Sequence, residues 1–133
     1  MGYTVSWHQL QFSEFTYQSV LRLIRKMIHP STTMWPQEGG FAIGASQYDR
    51  ASIQRNHPYI GFVKTNRLPY TKEFMKALIL MVEFGAAEDL RHDDSDQTLF
   101  LEALDEVNAV HALASYEQQK AYFNSFYESD AEH

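Results

Sequence analysis

Tyr59-Ile60-Gly61-Phe62-Val63-Lys64-Thr65-Asn66-Arg67-Leu68-Pro69-Tyr70 decides the reading of this chain. Its first half is apolar and mixes aromatic with β-branched residues, the composition of a strand. It closes on a compact polar group, Lys64, Thr65, Asn66 and Arg67. Pro69 then breaks the pattern, because proline fixes φ and donates no backbone N–H. A helix is expected from about Thr71. A strand that feeds a helix through a short polar turn sets side chains and free helix N–H groups at one edge of a domain, where anions and partners bind. Lys64, Thr65, Asn66 and Arg67 are therefore the candidate anion- or partner-binding residues.

The helix that follows holds Phe74, Met75, Leu78, Ile79, Leu80, Met81 and Val82. It is apolar around most of its circumference, so it is expected to be the most buried element, with Gly85 as its C-terminal stop. Upstream, Phe41 to Ala45 reads as a short strand, and Gln47 to Pro58 as a long polar connection to the strand at Tyr59. The two strands suit a hairpin with a long loop. Ser31 to Gly40, rich in Ser, Thr, Pro and Gly, reads as a loop.

At the start of the chain, Tyr3, Val5, Trp7 and Gln9 alternate with Thr4, Ser6, His8 and Leu10, the period of a strand with one buried face. Ser13 suits a helix N-cap, flanked by Phe12 and Tyr17 as a hydrophobic staple. Tyr17, Val20, Leu21, Ile24, Met27 and Ile28 recur at helical spacing until His29-Pro30 ends the run. Beyond Gly85, residues 88 to 94 suit a fourth strand or an irregular loop. Ser95 or Asp96 caps a third helix that turns Phe100, Ala103, Leu104 and Val107 inward. Ser115 with Gln118 makes a capping box for a ring-rich fourth helix. Its Tyr122, Phe123, Phe126 and Tyr127 form the candidate interaction face.

These elements predict an α+β fold: a two-layer β-α-β-β-α-(β) ferredoxin-like core with a helical C-terminal extension. Residues 1–128 are expected to form a single globular domain and residues 129–133 a frayed tail. The 133 residues suit one core.

Seventeen acidic against eleven basic residues give a formal net charge of −6. That balance opposes nucleic acid and anionic membranes as partners. Cysteine is absent, which excludes disulfides, thiolate metal sites and a cysteine nucleophile. The opening residues lack a basic region followed by an apolar run, so no signal peptide is expected and the chain is not expected to be secreted.

Two motifs suggest chemistry. Gly61-Phe62-Val63 matches the core of an RNA-recognition strand, but Ile60 and Thr65 stand where stacking rings belong. Asp93, Asp94 and Asp96, near Asp89 and His92, offer carboxylates for Mg²⁺ or Ca²⁺ and hence a metal-dependent phosphoester hydrolase as the alternative function. The run lacks the glycine and closing glutamate of a calcium loop and precedes a helix, where capping favours Asp and Ser. No catalytic residue, metal or cofactor is therefore assigned.

The stretch from Gly61 to Tyr70 resembles the Lys-Thr-x-Arg-x-Pro-Tyr signature of a family of small proteins encoded by large DNA viruses of algae and amoebae, and of their metagenomic relatives. Met1-Gly2-Tyr3-Thr4-Val5-Ser6-Trp7 and Asp93-Asp94-Ser95-Asp96 resemble it too. Val63 stands where the family commonly has cysteine. The resemblance implies a viral origin, and with it a place inside a host cell or in the virion, and carries no chemistry. The expected function is that of a small non-enzymatic viral protein acting through protein–protein contact, with another protein or with its own copy.

Overall fold

In this computed structural model, residues 4–37, 39–46, 49–54, 58–64, 70–92 and 97–122 are described. Strand β1 (Thr4–Gln9) keeps its alternation, burying Val5, Trp7 and Gln9. Ser13 caps α1 (Glu14–Met27): its hydroxyl accepts the Thr16 amide at 3.1 Å. Phe12 and Tyr17 close the staple with ring centroids 6.4 Å apart. Tyr17, Val20, Leu21 and Ile24 face the core, as their spacing predicts.

Three regions differ from the sequence expectation. Residues 31–40 are not a loop throughout, since they carry β2 (Thr33–Gln37). The polar connection holds a strand, β4 (Asp49–Gln54). The expected hairpin between β3 (Gly40–Ser46) and β5 (Tyr59–Lys64) does not form. β3 pairs antiparallel with β2 and β4, whereas β5 pairs with β1. β2 was hidden by Pro36, which a sheet tolerates on an edge strand where its missing N–H leaves no ladder bond unmade. β4 was hidden by its polar residues, because the strand lies at a sheet edge, where Ala51 and Ile53 are buried and Arg50 and Ser52 are exposed.

Two three-stranded antiparallel sheets result, ordered β5-β1-β6 and β2-β3-β4. Strand β6 (Ala87–His92) overlaps the span 88–94 that suited either a strand or a loop. Helix α2 (Tyr70–Glu83) packs on β3, β6, α1 and α3. It touches both sheets, which explains its nearly all-round apolar sequence: Phe74, Met75, Ala77, Leu78, Ile79, Leu80 and Met81 are fully buried. Each such large apolar side chain contributes about 1.5–3 kcal/mol by leaving water. Gly85, at φ 76°, ends the helix in the left-handed region that glycine enters without a Cβ clash.

An ion pair lies within this apolar helix. Lys76 Nζ and Glu73 Oε1 are 3.1 Å apart, with side chains only 5% and 2% exposed. Lys76 also donates to the Met27 carbonyl at 3.2 Å and meets Glu106 at 3.1 Å. Glu73 accepts the His29 amide at 2.7 Å. The pair thus satisfies backbone groups that the end of α1 leaves orphaned, and that is why two charges are tolerated there.

Helix α3 (Thr98–Val110) buries Phe100, Ala103, Leu104 and Val107, as predicted. Its expected caps, Ser95 and Asp96, lie outside the described residues. A fourth helix, α4, begins at residue 116 and is described to residue 122. Its start is held differently from a capping box with Gln118. Glu83 of α2 accepts the Ala114 and Ser115 amides at 3.0 and 2.9 Å, and Ser115 Oγ accepts from Gln119 Nε2 at 2.9 Å. The expected domain end at 128 and the tail at 129–133 also lie outside the described residues. No helix among the described residues is long and apolar enough to cross a membrane.

Candidate functional site

The pleat of β1 and β5 sorts their side chains onto two faces. Inward, Trp7 lies opposite Gly61 and makes edge contacts with Phe74 (5.6 Å) and Tyr59 (6.4 Å). A Cβ on Gly61 would come within 2.1 Å of the Trp7 ring. Gly61 therefore makes room for an indole. Trp7 Nε1 donates to Gln9 Oε1 at 3.0 Å, and Gln9 Nε2 donates to the Leu10 carbonyl at 2.8 Å, so the buried polar atoms are satisfied.

Outward, the register makes rows across the sheet. Ile60, His8 and Glu88 form one row with His8 in the middle, Phe62, Ser6 and Arg91 a second with Ser6 in the middle, and Lys64 stands beside Thr4. Ile60 is 73% exposed and Phe62 62%. Isolated apolar residues on a surface are ordinary, but two on one strand face, flanked by polar neighbours, form the kind of patch that partners cover. His8 Nδ1 and Glu88 Oε1 are 2.9 Å apart on this face.

β6 carries an irregularity. Ser6 faces Arg91 and His8 faces Glu88, so Trp7 alone opposes both Asp89 and Leu90, which is a β-bulge. Asp89 sits at φ 55°, the left-handed region that aspartate enters more readily than most residues. The bulge turns its carboxylate toward α4, where Tyr122 donates to Oδ1, as does Arg91 Nε at 2.9 Å. The hydrogen bond from Tyr122 holds the Asp89 carboxyl below the usual aspartate range, with Arg91 adding to it against burial. Burial, reinforced by Asp89, pushes the Tyr122 phenol up. Between β6, the end of α2 and α4 lies a pocket of ≈ 270 Å³, with Glu88, Asp89, Gln118 and Gln119 on its polar side.

The structure treats the expected site residues unequally. Lys64 ends β5 and is exposed, next to the outward apolar pair. Thr65, Asn66 and Arg67 lie outside the described residues. Tyr122 is 40% exposed and bonded to Asp89. Phe123, Phe126 and Tyr127, and the alternative metal set Asp93, Asp94 and Asp96, lie outside the described residues. Sequence reasoning missed the open sheet face and the bulge. Ile60 and Phe62 alternate with Gly61 and Val63, a readable signal, but which alternate set faces water depends on Trp7 filling the space above Gly61. The chain matches no protein-family model, no curated protein and no solved structure.

Proposed function

We propose that this chain is a small non-enzymatic protein, viral like the family its signature resembles, that works by binding another protein or its own copy across the outer face of the β5-β1-β6 sheet. One observation carries the reading: Ile60 and Phe62 stand largely exposed side by side on an edge strand, in register with His8 and Ser6. Burying the two side chains against a partner is worth several kcal/mol before the costs of association. Lys64 on the same face supplies a cation for an acidic group on the partner, which favours a particular docking orientation. At the level of architecture, the β5-α2-β6 unit with β1 between its strands supports the ferredoxin-like reading, with the β2-β3-β4 sheet built into the connection after α1.

The test is a double variant, Ile60→Ser with Phe62→Ser. Both side chains are mostly exposed, so the melting temperature is expected to hold. Proteins retained by the wild type from infected host cells, or concentration-dependent self-association in sedimentation, are expected to be lost. Equal binding by the folded variant would remove the sheet face as the interface.

A further inference from the structure

The pocket beside the β6 bulge is not used by the sheet-face reading, and its chemistry is one-sided. Val82, Leu90 and Tyr122 contribute apolar surface, Glu88 and Asp89 contribute carboxylates, and none of the described lining residues is Lys or Arg. Both hydrogen bonds to Asp89 fall on Oδ1, and His8 takes Glu88 Oε1. Asp89 Oδ2 and Glu88 Oε2 are left without a donor among the described residues.

A third acceptor is independent of the acidic pair. Gln119 lines the same pocket and is only 5% exposed. Its Nε2 is spent on the Ile79 carbonyl at 3.3 Å and Ser115 Oγ at 2.9 Å, while its buried Oε1 has no hydrogen-bond partner. A buried acceptor left unmet costs about 1–3 kcal/mol, which a ligand that donates to it recovers. At ≈ 270 Å³ the pocket lies just under the ~300 Å³ lower end of ordinary small-molecule sites, so it suits one side chain or a short aliphatic molecule and excludes a nucleotide.

We propose that this pocket binds a primary alkylammonium group, with its N–H donors directed at Gln119 Oε1, Glu88 and Asp89 and its alkyl stem against Val82, Leu90 and the Tyr122 ring. An ammonium carries three donors and no acceptor, matching the three acceptors that the described residues leave without a donor. An anion meets two carboxylates, of which Asp89 is already paired with Arg91, and is disfavoured. The same chemistry is offered by a lysine side chain of a bound protein and by a free polyamine.

The test is titration of the full chain, followed by amide NMR, with n-butylammonium, n-butanol and butyrate. Saturable shifts at Asp89, Leu90, Gln118 and Gln119 are expected with n-butylammonium alone. Glu88→Gln is expected to weaken that binding about fivefold, the worth of one part-exposed charge pair. Gln119→Met is expected to weaken it further. Because Gln119 also holds Ile79 and Ser115, the largely exposed Glu88 variant serves if Gln119→Met fails to fold. Spermidine and Nα-acetyl-lysine methylamide then separate the two sources, the tighter of the two naming it. Equal shifts with butanol or butyrate, no saturation with any of the three amines, or indifference to Glu88→Gln would overturn the assignment.

Discussion

The two sheets have the same size and antiparallel pairing, yet the central strand of one is covered on both faces, while the edge strand of the other leaves two large apolar side chains exposed. In the β2-β3-β4 sheet, β3 turns Phe41 and Ile43 inward and Gly40, Ala42 and Gly44 outward, and all five are buried. The outward three are small, and longer side chains of the flanking strands share their face. Trp35 pairs with Ala42, Arg50 pairs with Gly44, and the Arg50 guanidinium lies 5.8 Å from the Trp35 ring centroid. In the β5-β1-β6 sheet the small residue of β5, Gly61, faces inward under Trp7, and the large Ile60 and Phe62 face out. Where the small residue points decides which sheet face is closed. A sheet whose large residues point away from its own core presents them to something else.

The sharpest way to break this contrast is to place the same charge in each sheet. Ile43→Asp buries an unpaired carboxylate at a fully buried position, and is expected to cost more than about 4 kcal/mol and to unfold the chain at room temperature. Ile60→Asp, at a position 73% exposed, is expected to stay within about 1 kcal/mol of wild type. Thermal melts followed by circular dichroism read both. Similar losses for the two would mean that the β5 face is covered in the native protein.

A smaller effect separates the two glycine positions. A Cβ on Gly40 would meet the Ile53 carbonyl oxygen at 1.8 Å, a backbone atom that moves only if β3 and β4 part. Gly40→Ala is expected to cost about 3 kcal/mol or more, at the upper end of overpacking. At Gly61 the obstacle is a side chain, the Trp7 ring, and not backbone, so Gly61→Ala is expected to cost less, about 1–3 kcal/mol. It should also change tryptophan fluorescence, since Trp7 must move. A Gly61→Ala protein with unchanged emission and melting temperature would refute the idea that this glycine sets the facing of β5.

The smallest effect concerns the other edge of the open sheet, which α4 approaches through Tyr122. The start of α4 is tied to α2 by Glu83. Burial pushes the Glu83 carboxyl up, but hydrogen bonds from Ser115 and Ala114 outweigh it and hold it below the usual glutamate value. A carboxyl whose folded value is depressed contributes stability above the unfolded value and loses it as the pH falls through the folded one. The melting temperature is therefore expected to drop as the pH is lowered below the ordinary glutamate range. Glu83→Gln is expected to flatten part of that drop and to lower the neutral-pH melting temperature slightly. A variant with the wild-type pH profile would show that this tether does not hold α4.

Local pattern was enough for several elements. The Ser13 cap, the Phe12–Tyr17 staple, the buried faces of α1 and α3, the all-round burial of α2 and the stop at Gly85 follow from spacing, because helix faces and caps depend on residues within about four positions of one another. Strand identity was legible where alternation was strong, in β1 and β5, and hidden where an edge position admits Pro36 or polar residues, in β2 and β4.

Only the tertiary structure decided which strands pair, because backbone ladders are nearly indifferent to side chains and join residues far apart in the chain. β5 pairs with β1 and not with β3, which is nearer in the chain, and α2 contacts both sheets. The same holds for the Glu73–Lys76 pair, whose two charges are countable in the sequence but whose burial against the end of α1 is not. The pocket needs a bulge in β6, the end of α2 and the first turns of α4 in one place. Local sequence pattern therefore determined the mixed α+β class of the protein and the inward faces of its helices. Long-range packing determined which surface was left open, because exposure is set by what the rest of the chain covers.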